Sequence, residues 1–310
     1  MGIPFRFPNR HHDCVSGFSR VPVVAASLPG EMEPPMSLTT TNLCVPGILP
    51  PPGISFHAPT GHVTGIIGPN GAGKSTLLAA INGRRPRSGG SVAINGHDIA
   101  HISAAERARL LALVPQDTST GGELRVKDMV ALARSPYVGR FGRFHPSDHA
   151  AVDQALTVTG ISHIADRPVQ SLSGGQRQLA HLARAIAQRT PVILLDEPVS
   201  DLDIRHQLLV MSLLRQLADD GNTVVVVLHD LASTARFCDE VILLHHGTVA
   251  CQGPPDQVLT EEKLAQFYSV RARVRHDPDV DSVMITPLVP LPLDQNKENS
   301  NEDTLPPSSV

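Results

Sequence analysis

The residues best suited to chemistry in this chain form one unbroken run, Gly68-Pro69-Asn70-Gly71-Ala72-Gly73-Lys74-Ser75-Thr76. Its glycines let backbone N–H groups converge on phosphate oxygens. Lys74 is placed to reach β- and γ-phosphates, and Ser75 to offer a hydroxyl to Mg²⁺. The apolar run Val63-Thr64-Gly65-Ile66-Ile67 precedes it and reads as a buried strand. Leu77-Leu78-Ala79-Ala80-Ile81 follows and opens a helix. Strand, glycine-rich loop and helix together make the setting of a phosphate-binding P-loop, and the helix N-terminus adds partial positive charge.

Three further clusters extend that chemistry. Val192-Ile193-Leu194-Leu195-Asp196-Glu197 reads as a central strand with two carboxylates at its C-terminal tip, where open α/β sheets bind ligands. Asp196 there suits Mg²⁺, and Glu197 suits a base that takes a proton from water. Val224-Val225-Val226-Val227-Leu228 is the most strand-like run in the chain and ends at His229, which points that histidine at the same edge. Ser171-Leu172-Ser173-Gly174-Gly175-Gln176 opens a helix whose Leu179, Leu182, Ala183 and Ile186 form one apolar face. Ser173 is a good N-cap type, so this helix start is a second candidate anion site.

The elements that must position these groups alternate as an α/β protein does. Early strands are expected from about 38 to 67, with a turn at Pro50-Pro51-Pro52-Gly53. Ser91–Ile94 and Leu111–Val114 read as strands and Ala104–Leu111 as a helix. From about 117 the character becomes helical, at Val126–Leu132 and Asp148–Thr159, around a broken loop from Ser135 to Pro146. A hairpin is expected around His246-Gly247, with His245 and His246 as turn surface. A final helical stretch then runs to Tyr268, followed by short strand-like pieces to about 290. Residues 1–36 and 291–310 lack any sustained period and read as disordered extensions.

Bulk properties narrow the classes. A chain of 310 residues is ample for a full core. Its net charge of -4, with both signs mixed, gives no sign of a nucleic-acid surface. No apolar run approaches the roughly 20 residues needed to span a bilayer. Cys14, Cys44, Cys238 and Cys251 are scattered, which reads as reduced cytosolic thiols.

The order of P-loop, Gln116, Leu172-Ser173-Gly174-Gly175-Gln176, Asp196-Glu197, Asp203 and His229 resembles an ATP-binding cassette (ABC) ATPase over about residues 38–255. The resemblance implies a P-loop NTPase (RecA-like) core with a mainly parallel sheet. It adds an antiparallel β part at the N-terminus and a helical signature subdomain at about 117–190, all within one domain at 37–290. It implies that Gly68 to Thr76 hold ATP and Mg²⁺, that Gln116 touches Mg²⁺ and the attacking water, and that Asp196 serves Mg²⁺. Glu197 is then the catalytic base and His229 a γ-phosphate contact. Ser173, Gly175 and Gln176 complete the ATP site of a second copy in a head-to-tail homodimer, with Asp203 at the interface. The implied partners are polytopic permease subunits and, indirectly, a periplasmic or extracellular substrate-binding protein, at the cytoplasmic face of the cell membrane.

Two departures stand out. No Tyr, Phe or Trp lies between Met36 and Ile54, where the family usually stacks an aromatic on adenine, so adenine packing is expected to be aliphatic. Asp201 stands where the family often has Ala or Asn. Within the family, Asp203-Ile204-Arg205-His206-Gln207, Ala133-Arg134-Ser135-Pro136-Tyr137 and Phe267-Tyr268-Ser269-Val270-Arg271-Ala272 are similar to importer ATPases for iron–siderophore, haem or cobalamin complexes. The alternatives are an importer ATPase for metal ions or phosphonates, and a soluble, non-transport cassette protein. Single P-loop and signature motifs, and a short helical insertion, disfavour the last.

Overall fold

The computed structural model describes residues 36–117, 122–138 and 142–292. The proposed extensions at 1–36 and 291–310 lie almost wholly outside the described residues. The chain opens with β1 (Leu38–Val45) and β2 (Leu49–Ala58), then β3 (Val63–Ile67) and helix α1 (Lys74–Asn82). β4 (Gly89–Ile94), β5 (His97–Asp98), α2 (Ala104–Leu110) and β6 (Leu111–Val114) follow. A helical segment carries α3 (Val126–Ala131), α4 (Ser135–Val138), α5 (Pro146–Val158) and α6 (Gly174–Gln188). The chain then alternates through β7 (Val192–Asp196), α7 (Ile204–Asp219), β8 (Thr223–Val227), α8 (Leu231–Phe237), β9 (Glu240–His245) and β10 (Thr248–Gly253). It closes with α9 (Pro255–Val258), α10 (Glu261–Tyr268), β11 (Val270–Asp277) and β12 (Ser282–Pro290).

Six strands form the central sheet in the order β10-β9-β3-β8-β7-β6, parallel except for β10. β3, β7 and β8 are buried throughout, as expected of strands covered on both faces. Alternate residues feed separate cores. Val224 and Val226 join the layer under α6 and α7, while Val225 and Val227 join the layer under α1 and the first sheet. That first sheet is antiparallel, in the order β2-β1-β4-β5.

Three expectations change. Pro50, Pro51 and Pro52 do not form the turn; they lie inside β2, and the chain reverses at Pro46-Gly47-Ile48. β2 is the sheet's edge strand and its prolines face solvent, so their missing N–H groups remove no ladder bond from a neighbour on that side. The pairing with β1 is irregular there, passing from Leu43↔Ile54 to Val45↔Leu49, which takes up the extra residues. The loop expected from Ser135 begins instead with the helical turn α4. His245 belongs to β9 rather than to a turn, and its ring meets Phe267 edge-on at 5.3 Å.

The helical segment is built around a buried ion pair. Arg134 Nε donates to Asp148 Oδ1 at 2.9 Å, Nη1 donates to the Ala187 carbonyl at 2.9 Å, and the guanidinium lies 3.9 Å from the Tyr137 ring centroid. The Tyr137 hydroxyl donates to the Gln188 carbonyl at 2.8 Å, so α4, α5 and the end of α6 are tied at one point. Gln188 in turn donates to the carbonyls of Ala108 and Leu111, joining this segment to β6. Among the described residues, no helix is long and apolar enough to cross a membrane.

Arg134→Ala leaves the buried Asp148 carboxylate without its counter-charge, with the His145 N–H still donating to it at 3.0 Å. It is expected to destabilise the fold by about 3–5 kcal/mol in chemical denaturation. A loss below about 1 kcal/mol would show that the pair does not organise the helical segment.

Candidate functional site

The parallel register carries the site. Asp196 is level with Val227, and the N–H groups of Glu197 and Leu228 donate to the carbonyls of Val227 and Ile66, so three strands end together. The loop from Gly68 leaves β3 at that edge and turns into α1. Gly68 has φ +147, and a methyl group there would sit 2.1 Å from the Leu244 carbonyl oxygen. Only glycine allows so close an approach. Gly73, at φ +94, caps α1 without a side chain and leaves the helix N-terminus open.

Lys74 is the first residue of that helix and is 5% exposed. Its Nζ donates to the carbonyls of Gly68 at 2.8 Å and Pro69 at 3.0 Å, curling over the loop. Burial lowers its pKa, opposed by the nearby Glu197 and Asp196 carboxylates. Ser75 Oγ donates to Asp196 Oδ1 at 3.0 Å, across 121 residues of sequence. Burial raises the pKa of Asp196, with the Ser75 bond opposing it and the Glu197 charge adding to it. A hydroxyl and a carboxylate side by side are hard oxygen donors, and with the Gln116 amide they fit Mg²⁺ chemistry.

Glu197 sits at φ +50, in the left-handed region that a residue with a side chain rarely adopts. Gln116 Nε2 donates to its Oε2 at 2.7 Å, and His229 Nε2 is bonded to its Oε1. Both carboxylate oxygens are therefore held, one from the end of β6 and one from the end of β8. Lys74, Ser75, Gln116, Asp196, Glu197 and His229, separated by up to 155 positions, thus gather at one sheet edge. Gly71, Ala72 and Thr76 lie in the same loop and first turn, with Asn70 and Pro69 at its tip.

Ser173, Gly175 and Gln176 lie at the start of α6. Ser173 Oγ accepts from the Gln176 N–H and Gln176 Oε1 accepts from the Ser173 N–H, a reciprocal capping box at the start of α6. Among the described residues, the side-chain hydrogen bonds of Ser173 and Gln176 run to one another, and the Ser173 carbonyl accepts from the Arg177 N–H at 2.9 Å. Asp203 caps α7, accepting from the His206 N–H at 2.9 Å and from His206 Nδ1 at 2.8 Å. Those bonds hold its carboxyl below the usual aspartate range.

Sequence reasoning missed three contributors. Ile48 lies against the P-loop, 3.4 Å from where a methyl on Gly73 would sit, and gives an aliphatic surface where no aromatic is available. Tyr268, the last residue of α10, is hydrogen-bonded to the Gly68 backbone, and burial pushes its phenol pKa up. His206 packs on Gly175. The Phe267-Tyr268 run was visible in the sequence, but nothing local in it points to the P-loop.

Known proteins share this arrangement. The ABC transporter family model matches residues 52–200. The cobalamin import ATP-binding protein BtuD of Halobacterium salinarum is 44% identical over 229 residues, which is 74% of this chain and 57% of that protein. The chain thus spans little more than half the length of that relative. The ferric enterobactin transport ATP-binding protein FepC of Escherichia coli K12 is 39% identical over 236 residues, covering 76% of this chain and 87% of that protein. A solved structure assigned to the metal-chelate type of ABC transporter, in an inward-facing conformation, superposes with a TM-score of 0.70 at 30% identity. It covers 82% of this chain and 98% of the other. With the P-loop, the acidic strand tip and the capped signature helix all in place, the chain belongs to the ABC transporter family.

Proposed function

We propose that the chain is the ATP-hydrolysing subunit of an ABC importer, converting ATP and water to ADP and phosphate. Its work is to couple that cycle to uptake of an iron–siderophore, haem or cobalamin-type complex through a separate permease. The observation that carries the reading is the convergence of Lys74, Ser75, Asp196, Gln116, Glu197 and His229 at one sheet edge. The import of metal chelates is supported by the names of the two relatives and by the type of the solved neighbour.

The residues divide the work by position. Gly68 to Thr76 cradle the phosphates, and Lys74 leaves its two carbonyl partners to neutralise the β- and γ-oxygens. Ser75, Gln116 and Asp196 would hold Mg²⁺, which when bound neutralises charge on the phosphate oxygens. Glu197 accepts the proton of the attacking water. The left-handed backbone at Glu197 fixes where its carboxylate points, and Gln116 and His229 hold its two oxygens. His229 then faces the γ-phosphate. Catalysis of this kind is positioning and electrostatics, with little covalent chemistry by the protein.

Among the described residues, the side chains of Ser173 and Gln176 hydrogen-bond each other's backbone and not their own P-loop, which supports a head-to-tail homodimer in which they and Gly175 close the ATP site of the second copy. Asp203 then lies at the interface. The exposed apolar side chains of Leu124, Leu132 and Phe144 on the helical segment support contact with a permease, at the cytoplasmic face of the cell membrane. A substrate-binding protein on the far side delivers the cargo.

Glu197→Gln is expected to bind ATP as the unmodified chain does, while turnover falls by about 10²–10⁴-fold and an ATP-bound dimer accumulates on a sizing column. Turnover near the unmodified rate would remove Glu197 from the role of base. Lys74→Ala is expected to weaken ATP binding by about 10- to 100-fold in a fluorescent-nucleotide titration, the loss of one hydrogen bond to a charged group. Unchanged affinity would contradict the assigned phosphate contact.

A further inference from the structure

His206 belongs to no part of the reaction described so far, yet it joins two parts that are. Its Nδ1 bonds both carboxylate oxygens of Asp203, at 2.8 and 2.9 Å, and its own N–H donates to the same carboxylate. Nδ1 therefore carries the proton and donates it to Asp203. The ring, three-quarters covered, lies flat against the signature turn. A methyl group on Gly175 would stand 3.0 Å from both Cγ and Cδ2 of His206 and 3.3 Å from Nδ1. Gly175 has no unusual φ, and a side chain there would press on this ring.

The consequence is a rigid bracket. The carboxylate of Asp203 fixes the ring through a bidentate contact. The ring fixes the backbone of Gly175, one residue inside α6. The start of α7, in the loop that follows Glu197, and the start of α6 are thereby held at one spacing. We propose that His206 is a positioning residue for ATP hydrolysis. It sets the signature turn of each copy against the Asp203 loop, so that the turn meets the second copy's nucleotide in register with that copy's Glu197. This inference rests on the sandwich-dimer reading above. It adds a residue that touches neither nucleotide nor water and acts through Gly175 and Asp203.

The test compares the full-length chain with His206→Ala, His206→Asn, Gly175→Ala and the double variant His206→Ala/Gly175→Ala. The readouts are ATPase rate against ATP concentration, fluorescent-nucleotide affinity and Tm. His206→Ala is expected to lower kcat by about 10- to 100-fold, the scale of a small misplacement of a reacting group. The Hill coefficient should fall toward one, with nucleotide affinity and Tm essentially unchanged. His206→Asn keeps an N–H near the Nδ1 position and is expected to recover much of the rate. The Gly175→Ala penalty should shrink several-fold once the ring is removed, because the two sites are in contact and do not act additively. A His206→Ala chain with unmodified kcat and Hill coefficient overturns the inference, as does a fall in kcat that merely tracks a fall in Tm. Failure of the parent reading looks different: the unmodified chain hydrolyses no ATP, or Glu197→Gln turns over at the unmodified rate.

Discussion

Leu194, Leu195 and Asp196 of β7 stand level with Val225, Val226 and Val227 of β8, and β8 stands level with β3. Everything at the site depends on that parallel ladder. Side chains alternate with a period of two, so a slip of one residue would send Asp196 to the opposite face. The bond between Ser75 and Asp196 would then be lost. The ladder is secured by apolar side chains on both faces, buried in two separate layers. Regular, wholly buried strands thus set the position of an irregular, polar edge, and the chemistry is only as well placed as the core beneath it.

That edge is expensive in folding terms. Lys74 and Asp196 are both buried, and burial pushes the pKa of each toward its neutral form. Mutual attraction and the hydrogen bonds from Ser75 and to the P-loop carbonyls offset the loss of hydration. Glu197 adds a strained backbone, of the order of 1–3 kcal/mol for such a conformation. A protein selected for stability alone would have none of these features. Their concentration within a few residues of three strand ends marks this edge as a candidate site.

The helical segment solves a different problem. It needs to present the signature turn as one body, and the Arg134–Asp148 pair with the Tyr137 stack ties its pieces at their far end. The capping box of Ser173 and Gln176 closes the near end. Between the two, α6 runs with its buried face against the sheet layer. The signature is therefore carried on a helix braced at both ends, and His206 adds a contact from α7 to the same turn.

Much of this was legible before any coordinates. The P-loop, the acidic strand tip, the Ser173 cap and the parallel-strand runs are written in contiguous residues, because glycine torsions, capping hydroxyls and buried apolar runs act over a few positions. Prolines at 50–52 misled, since their local meaning is a turn and only an edge position allows them in a strand. The bonds that hold Glu197 between Gln116 and His229, the Arg134–Asp148 pair, the reach of Tyr268 to Gly68 and the packing of His206 on Gly175 join residues 14 to 200 positions apart. No local propensity encodes such a pairing; it exists only once packing has brought the elements together. The sequence by itself determined which chemical groups this protein owns and which turns and strands carry them. The tertiary structure alone decided which of those groups meet, because distance in space is set by the packed core and not by separation along the chain.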